Sequence, residues 1–495
     1  MSSEHPLVAA RRAKHEKVLA SGGYPTRFAR THRAADIHRE HGDLPPGSET
    51  EVRVTVAGRL MLHRSFGKLQ FGTLDDWSGT IQLFVDVATA GQDLADRFED
   101  LDLGDWVGAS GIVMTTRKGE LSVRVDQLHL LQKALRPLPD KWKGLADIEA
   151  RSRRRYVDLM VNRASREVAM ARIQTVAELR RQFHERGFVE VETPILISEA
   201  TGANARPFIT WHNALDQEMQ LRIATELHLK RLVVGGMERV FEVGRIFRNE
   251  GIDSTHNPEF TMLEAYQAFA DYTDMMELME GVLPAVCREV TGGTEIVYRG
   301  RELSLAAPYR RASMVELVSE ALGMEVGLDT PVSQLASIAE GLGVEVDPSW
   351  TAGKLVSEIY EEAVEDRIWE PTFVTHHPVE VSPLARRNPD DPRVTDRFEL
   401  VIAGSEYVNA FSELNDADDQ RGRFEEQARA KAAGDEEAHV VDRDYLLALE
   451  YGLPPTGGLG LGVDRLVMLL TGQEHIREVI LFPTLKTIDH EEEEE

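Results

Sequence analysis

The 495-residue sequence predicts an α+β chain, with a small five-stranded β-barrel followed by a larger domain of long strands and interspersed helices. Three observations carry that expectation. Hydrophobic residues alternate with period two across roughly 80 residues from position 51. The later strand-like runs follow no regular strand–helix repeat, which disfavours a doubly wound sheet. A 42% hydrophobic content supplies an ordinary core, and nothing in the composition suggests disorder.

Residues 1–20 read as a polar helix whose apolar stripe is too narrow to fold alone. In "EVRVTVAGRLML", Val52, Val54 and Val56 alternate with polar residues. "KLQFGTLDDWSGTIQLFVD" adds two strands around a turn at Asp76–Gly79, and two more flank Lys118–Gly119. Five short strands so spaced fit an OB-type barrel. "RPLPDKW" then breaks regular structure. Beyond it, Ile173, Val176, Leu179 and Phe183 predict a helix near 165–186 that Gly187 stops. "FVEVETPIL", "MERVFEVGRIFRNE", "TMLEAYQAFADY" and "FELVIAGSEYVNAFSEL" read as strands, residues 305–370 as mainly helical and acidic, and "GGLGLG" as close backbone packing before a helix. The predicted boundaries are a helical extension (1–50), the barrel (51–134), a linker (135–147), the large domain (148–488) and an acidic tail (489–495).

With 56 basic and 84 acidic side chains the net charge is −28, which argues against broad nonspecific binding to nucleic acid. It leaves room for a local basic path. "RSRRR" at 151–155, with Lys141 and Lys143 upstream, reads as a solvated face or subunit contact at least as readily as an RNA contact. The single cysteine, Cys287, excludes an internal disulfide framework, and its apolar neighbours favour a buried structural role. No run reaches membrane-spanning length and no apolar leader core is present, so a cytoplasmic location is expected.

Three segments concentrate charge inside apolar, strand-like sequence: "FEVGRIFRNEGIDSTHNPEF", "FELVIAGSEYVNAFSELND" and "GGLGLGVDRLVML". Core strands do not normally tolerate Arg248, Glu250, Glu399, Glu406 and Glu413 without partners or ligands. Together they predict a cavity for a polyanion and a divalent cation. No phosphate loop of the GxxxxGK[ST] type is present.

These segments resemble the signature motifs of class II aminoacyl-tRNA synthetases, specifically the bacterial lysyl-tRNA synthetases. The resemblance runs through "GYPTRF", "KALRPLPDKW", "GANARPFITWHNALD", "LRIATELHLKRLVVGGMERVFEVGRIFRNEG", "HHPVEVSPLARRN", "NAFSELNDADDQ" and "GLPPTGGLGLGVDRLVMLLTG". It implies an OB-fold anticodon-binding domain and a class II antiparallel-sheet catalytic domain. The implied activity joins L-lysine to tRNA(Lys) through a lysyl-adenylate made from ATP with Mg²⁺, in a homodimer.

By motif position the resemblance assigns Arg248 and Arg465 as catalytic and ATP-binding arginines. Glu250, His256 and Phe260 complete the ATP contacts, and Glu399 and Glu406 are the Mg²⁺ ligands. Gly202, Glu226, Arg248, Glu264, Tyr266, Asn409, Phe411 and Glu413 surround lysine, with Glu413 and Tyr266 receiving its ε-ammonium. Phe71, Gln82 and Glu120 are the anticodon contacts, though barrel core is an equally valid reading of Phe71. The family usually has glycine where Thr201 precedes Gly202. Two rivals stand beside this reading: a relative that modifies proteins or forms dinucleoside polyphosphates, and a catalytically silent RNA-binding scaffold.

Overall fold

The computed structural model describes residues 5–139, 145–199, 202, 205–432 and 441–487. Lys141, Lys143, Thr201 and the acidic segment 489–495 lie outside the described residues. The chain divides into two compact units, Met1–Gly144 and Leu145–Glu495.

In the first unit, helices Pro6–Ala20 and Ala34–His41 precede five strands: β1 (Glu49–Phe66), β2 (Leu69–Asp76), β3 (Gly79–Asp86), β4 (Trp106–Thr115) and β5 (Leu121–Gln132). They pair in the ring β1-β2-β3-β5-β4, with β4 returning to β1. Period-two alternation sends Val54, Val56, Leu60, Leu74, Ile81, Leu83 and Val85 inward. Val52 is exposed instead, where a register shift interrupts β1 between Glu49 and Arg53. Between β3 and β4 the sequence reading missed the short helix Gln92–Glu99, whose Leu94, Ala95 and Phe98 join this core.

The second unit centres on an eight-stranded sheet: β6 (Val189–Glu190), β7 (Arg239–Phe247), β8 (Glu259–Ala268), β9 (Arg310–Ser313), β10 (Thr372–Thr375), β11 (Arg397–Ile402), β12 (Ser405–Ser412) and β13 (Thr456–Gly462). Their order is β9-β10-β11-β12-β13-β8-β7-β6. Helices Arg163–Glu185 and Tyr272–Thr291 cover one face, burying Phe183, Met275, Met279 and Val286 against Leu459 and Leu461. Cys287 is buried in the same cluster.

The fold class read from sequence needs correction in the first unit. The first unit is not a barrel evenly walled by antiparallel ladders: β3 meets β5 in parallel, through only the three pairs Gln82–Ser122, Leu83–Val123 and Phe84–Arg124. That seam is short because β3 leaves the wall into the helices that cross to β4. The large sheet is antiparallel through its central strands, as expected, and only its edges pair in parallel, β9 with β10 and β6 with β7. The edge strand expected over "FVEVETPIL" shrinks to Val189–Glu190. Beyond it, Thr193 donates its N–H and hydroxyl to Glu242 and leaves the ladder (3.0 and 2.7 Å).

The arginine cluster at 151–155 makes intramolecular bonds rather than presenting a bare basic face. Arg155 pairs with Asp158 (2.6 Å) and donates to the carbonyls of Arg477 and Leu481. Arg151 pairs with Asp158 and Glu478, and Arg153 with Glu149. These contacts clasp the C-terminal segment to the start of the second unit.

Candidate active site

Four antiparallel strands, β11, β12, β13 and β8, build the floor of a cavity of about 450 Å³ in the second unit. Their register aligns two rows of side chains across the sheet. Arg397 stands opposite Phe411, Phe411 opposite Gly458 and Gly458 opposite Tyr266. The next row reads Glu399, Asn409, Gly460 and Glu264. Residues two apart on a strand share a face, so both rows point the same way. The glycines of β13 make the room between them. A Cβ on Gly458 would stand 2.0 Å from Glu413 Oε1 and 2.5 Å from the Tyr266 ring, so only glycine fits. On the other face Leu459 and Leu461 enter the core.

Arg248, just beyond β7, lies over the Phe260 ring with its guanidinium carbon 5.2 Å from the centroid. Its Nε donates to the Ile223 carbonyl (3.5 Å), and neither terminal nitrogen bonds to protein among the described residues. Burial pulls this guanidinium below its usual range, while Glu250, Glu264 and Glu406 favour its charge. Both terminal nitrogens are therefore available to an anion in the cavity.

Arg465, in the first turn of the helix Val463–Thr471, donates to the Glu406 carbonyl (2.8 Å). Asp464, beside it, accepts from the Thr261 N–H (2.6 Å) and pairs with Arg172, tying the helix start to β8. Arg465 Nη2 lies 3.5 Å from His256 Nε2, and His256 Nδ1 lies 2.8 Å from Asp253 Oδ2. Burial works against the Asp253 charge, but the Thr255 and His256 N–H groups and the His256 ring hold its carboxyl down at about 2. His256 and Glu250 are exposed at the rim.

The carboxylates form two groups. Glu399 accepts from Arg397 Nη2 (2.5 Å), and Arg397 Nε donates to the side-chain Oδ1 of Asn409 (3.0 Å). Burial, then the charge of Glu399, pushes the Glu406 carboxyl up, against Arg465, Arg397 and Arg248. In the second group, Glu264 accepts from the Thr225 N–H (3.0 Å) and the Tyr266 hydroxyl (3.4 Å). Burial, reinforced by Glu226, pushes Glu264 up to about 7. Gly202, with φ +94°, passes close to Glu226: a Cβ there would meet the Glu226 Cβ at 3.4 Å.

Of the residues expected around one site, Gly202, Glu226, Arg248, Glu250, His256, Phe260, Glu264, Tyr266, Glu399, Glu406, Asn409, Phe411 and Arg465 line this one cavity. Glu413 does not line it directly. It sits behind Gly458, fully buried, and its carboxylate already pairs with the ammonium of Lys230, which also bonds Glu226 (2.5 Å). Sequence reasoning missed Lys230 and Arg397. Arg397 had a usable signal, lying two residues before Glu399 on one strand face; Lys230 had only its i,i+4 spacing from Glu226.

In the first unit, Phe71 lies on the outer wall of the β-structure rather than in its core. The burial of β2 alternates, with Gln70, Gly72 and Leu74 inward. Phe71 packs against Phe84 with the rings tilted (5.3 Å between centroids) and lies near the exposed Phe66 (6.1 Å). Gln82 donates to the Ser122 hydroxyl (2.8 Å), and Ser122 in turn donates to the Glu120 carbonyl (3.0 Å). Phe71, Gln82 and Glu120 thus belong to one neighbourhood.

Residues 147–486 match the family model described as tRNA synthetases class II (D, K and N), and residues 54–131 match OB-fold nucleic acid binding domain. The chain is 50% identical over 480 residues to the lysine–tRNA ligase of Enterococcus faecalis, covering 96% of each chain. It is 53% identical over 483 residues to that of Prochlorococcus marinus (strain MIT 9211), covering 95% of this chain and 96% of the relative. The chain belongs to the class II lysyl-tRNA synthetases. Its second unit is accordingly the catalytic domain of an ATP-dependent aminoacyl-tRNA ligase, and the strands of its first unit carry a nucleic-acid-binding fold. No helix among the described residues is long and apolar enough to cross a membrane.

Proposed function

We propose that this cavity activates L-lysine with ATP and passes the lysyl group to the 3′-terminal adenosine of tRNA(Lys). The observation carrying the choice of lysine is the buried Glu413 Oε1, which has no hydrogen-bond partner among the described residues and sits behind the glycine floor. An unpartnered buried acceptor beside two further carboxylates, Glu226 and Glu264, suits an amino acid with two ammonium groups.

The lysine carboxylate attacks the α-phosphorus of ATP, forming the acyl–phosphate bond as pyrophosphate leaves. The tRNA hydroxyl then attacks the activated carbonyl and releases AMP. The first step brings two anions together, so the protein chiefly offsets repulsion and aligns the groups. Arg248 spans the carboxylate and the α-phosphate, while Arg465 and His256 hold the outer phosphates. Phe260 covers one adenine face, and Glu250 accepts from the adenine amino group. Glu226 and the Gly202 backbone receive the α-ammonium. Glu413, Glu264 and Tyr266 enclose the ε-ammonium, with Asn409 and Phe411 on the opposite wall.

Glu399 and Glu406 fit the Mg²⁺ that class II catalysis uses: both are oxygen donors facing one end of the cavity, and Glu399 raises the Glu406 carboxyl by its charge. There the cation would neutralise phosphate oxygens. Glu406→Gln is expected to weaken Mg²⁺-dependent stimulation of ATP–pyrophosphate exchange at least about tenfold while leaving the thermal midpoint near parental. An unchanged Mg²⁺ titration would remove Glu406 from the site.

The outer face around Phe71, Gln82 and Glu120 reads the anticodon by stacking and base-edge bonds. Phe71→Ala is expected to raise the KM for tRNA by about 5–150-fold, the equivalent of ~1–3 kcal/mol per stacked base, with lysine-dependent exchange unchanged. If exchange and thermal stability fell together with charging, Phe71 would be packing only. The reading includes a homodimer, which the exposed apolar side chains Ile173, Val189, Ile195 and Leu196 support. Exchange measured with each standard amino acid tests the whole reading: lysine alone should drive it, and a different preferred amino acid would overturn it.

A further inference from the structure

Lys230 has no place in the reaction just described, yet its environment is costly. Its side chain is fully buried on the helix Glu226–Val234, and its ammonium pairs with Glu226 and Glu413. Three rings surround it, Phe411 at 5.4 Å, Tyr445 at 5.8 Å and Tyr266 at 5.9 Å. Two of those rings, Tyr266 and Phe411, are also cavity walls. An apolar side chain of similar volume would meet a purely structural need with less desolvation.

The charges explain the arrangement. Glu226, Glu264 and Glu413 bring three carboxylates to one buried end of the site. Lysine brings two ammonium groups, and its carboxylate is met by Arg248. Without an internal cation, one buried carboxylate would stay unmatched when substrate binds. We propose that Lys230 is a specificity-determining positioning residue: a built-in cation that neutralises one of the three pocket carboxylates and leaves two negative charges for lysine's two ammonium groups. The inference rests on the assignment of Glu413 to the lysine pocket.

Burial pushes the Glu413 carboxyl up, as do the charges of Glu226 and Glu264; Lys230 is the group that pulls against them. Burial likewise works against the Lys230 ammonium, but Glu226 and Glu413 outweigh it and hold it charged. Tyr266 and Tyr445 stay neutral, since burial pushes both phenols up. Removing Lys230 therefore leaves only influences that protonate Glu413. A protonated carboxyl cannot pair with the substrate ammonium, so lysine binding should become alkaline-dependent. In the parent, burial pushes the Glu264 carboxyl up to about 7.

The test is lysine-dependent ATP–pyrophosphate exchange on the full chain, parent against Lys230→Met and Lys230→Gln, from about pH 7 to 8.5. The expected result is a KM for lysine raised about tenfold or more at the acid end and recovering as pH rises, tenfold being the weight of one pH unit. The parental KM should change much less over that range, and the KM for ATP should move in neither variant. A parental lysine KM, or a pH-independent defect shared with ATP, overturns the proposal. So does failure of both variants to fold, which would assign Lys230 to stability. Glu413→Gln run alongside separates the two levels. If that variant keeps the parental lysine KM, the pocket assignment itself falls. If it loses lysine while the Lys230 variants behave as parent, only the charge-balancing role falls.

Discussion

Glu413→Gln is expected to lower kcat/KM for lysine by about 150–5,000-fold, corresponding to the ~3–5 kcal/mol for breaking a buried charged pair, with ATP affinity near parental. The side chain is fully buried behind Gly458, on the side of the Tyr266 ring, which walls the cavity. An ammonium entering that space sheds its water, and only a carboxylate offsets that penalty. Glutamine keeps the shape and loses the charge, so the change isolates electrostatics from packing. It also leaves Lys230 with Glu226 as its remaining carboxylate, turning the local balance further against a cationic substrate. Ornithine should stay a poor substrate of the parent, because its shorter stem cannot bring an ammonium to the same oxygen. Exchange kinetics with lysine and a separate ATP titration decide the matter. Near-parental lysine kinetics would reject Glu413 as the determinant, and an equal loss of ATP affinity would mean general damage.

Period-two alternation made β1 to β5 legible because each strand buries one face and wets the other. The same rule puts Asn409, Phe411 and Glu413 on one wall; Asn409 and Phe411 do line the cavity, whereas Glu413, just past the end of β12, sits behind Gly458. Alternation could not show that Arg397, Phe411, Gly458 and Tyr266 form one row, because that row crosses four strands whose pairing order is not written locally. The glycines of "GGLGLG" were readable as a close approach, but what approaches Gly458 is Glu413, 45 positions earlier. Arginines at 151–155 looked like a surface cluster, since their partners Glu478, Arg477 and Leu481 lie some 320 residues on. Phe71 remained undecided for a different reason. An aromatic residue in an alternating strand fits either face, and only register fixes it outward. Lys230 was hidden because a lysine in a mainly apolar helix ordinarily reaches solvent. Here the helix is covered and the side chain ends against Glu413.

Arg248→Lys is expected to lower kcat for lysine-dependent exchange by on the order of 10²–10³, the usual loss when a preorganised donor to developing charge is removed. The substitution keeps the positive charge, so the loss measures geometry. Arg248 lies over Phe260, held by a bond from Nε to the Ile223 carbonyl, and neither terminal nitrogen bonds to protein among the described residues. A planar fork can contact a carboxylate and a phosphate oxygen together, whereas an ammonium is a single point that must choose. The carboxylates of Glu250, Glu264 and Glu406 act on this position electrostatically, and a shorter-reaching, mobile ammonium would be drawn to one of them instead. The defect should therefore appear in kcat more than in the KM for either substrate, because both substrates retain their remaining contacts while losing the alignment between them. Single-turnover formation of lysyl-adenylate reads that step directly. A variant that forms adenylate at the parental rate would show that charge alone suffices at this position. A rise in the KM for ATP with kcat intact would make Arg248 a binding contact that does not align the reacting groups.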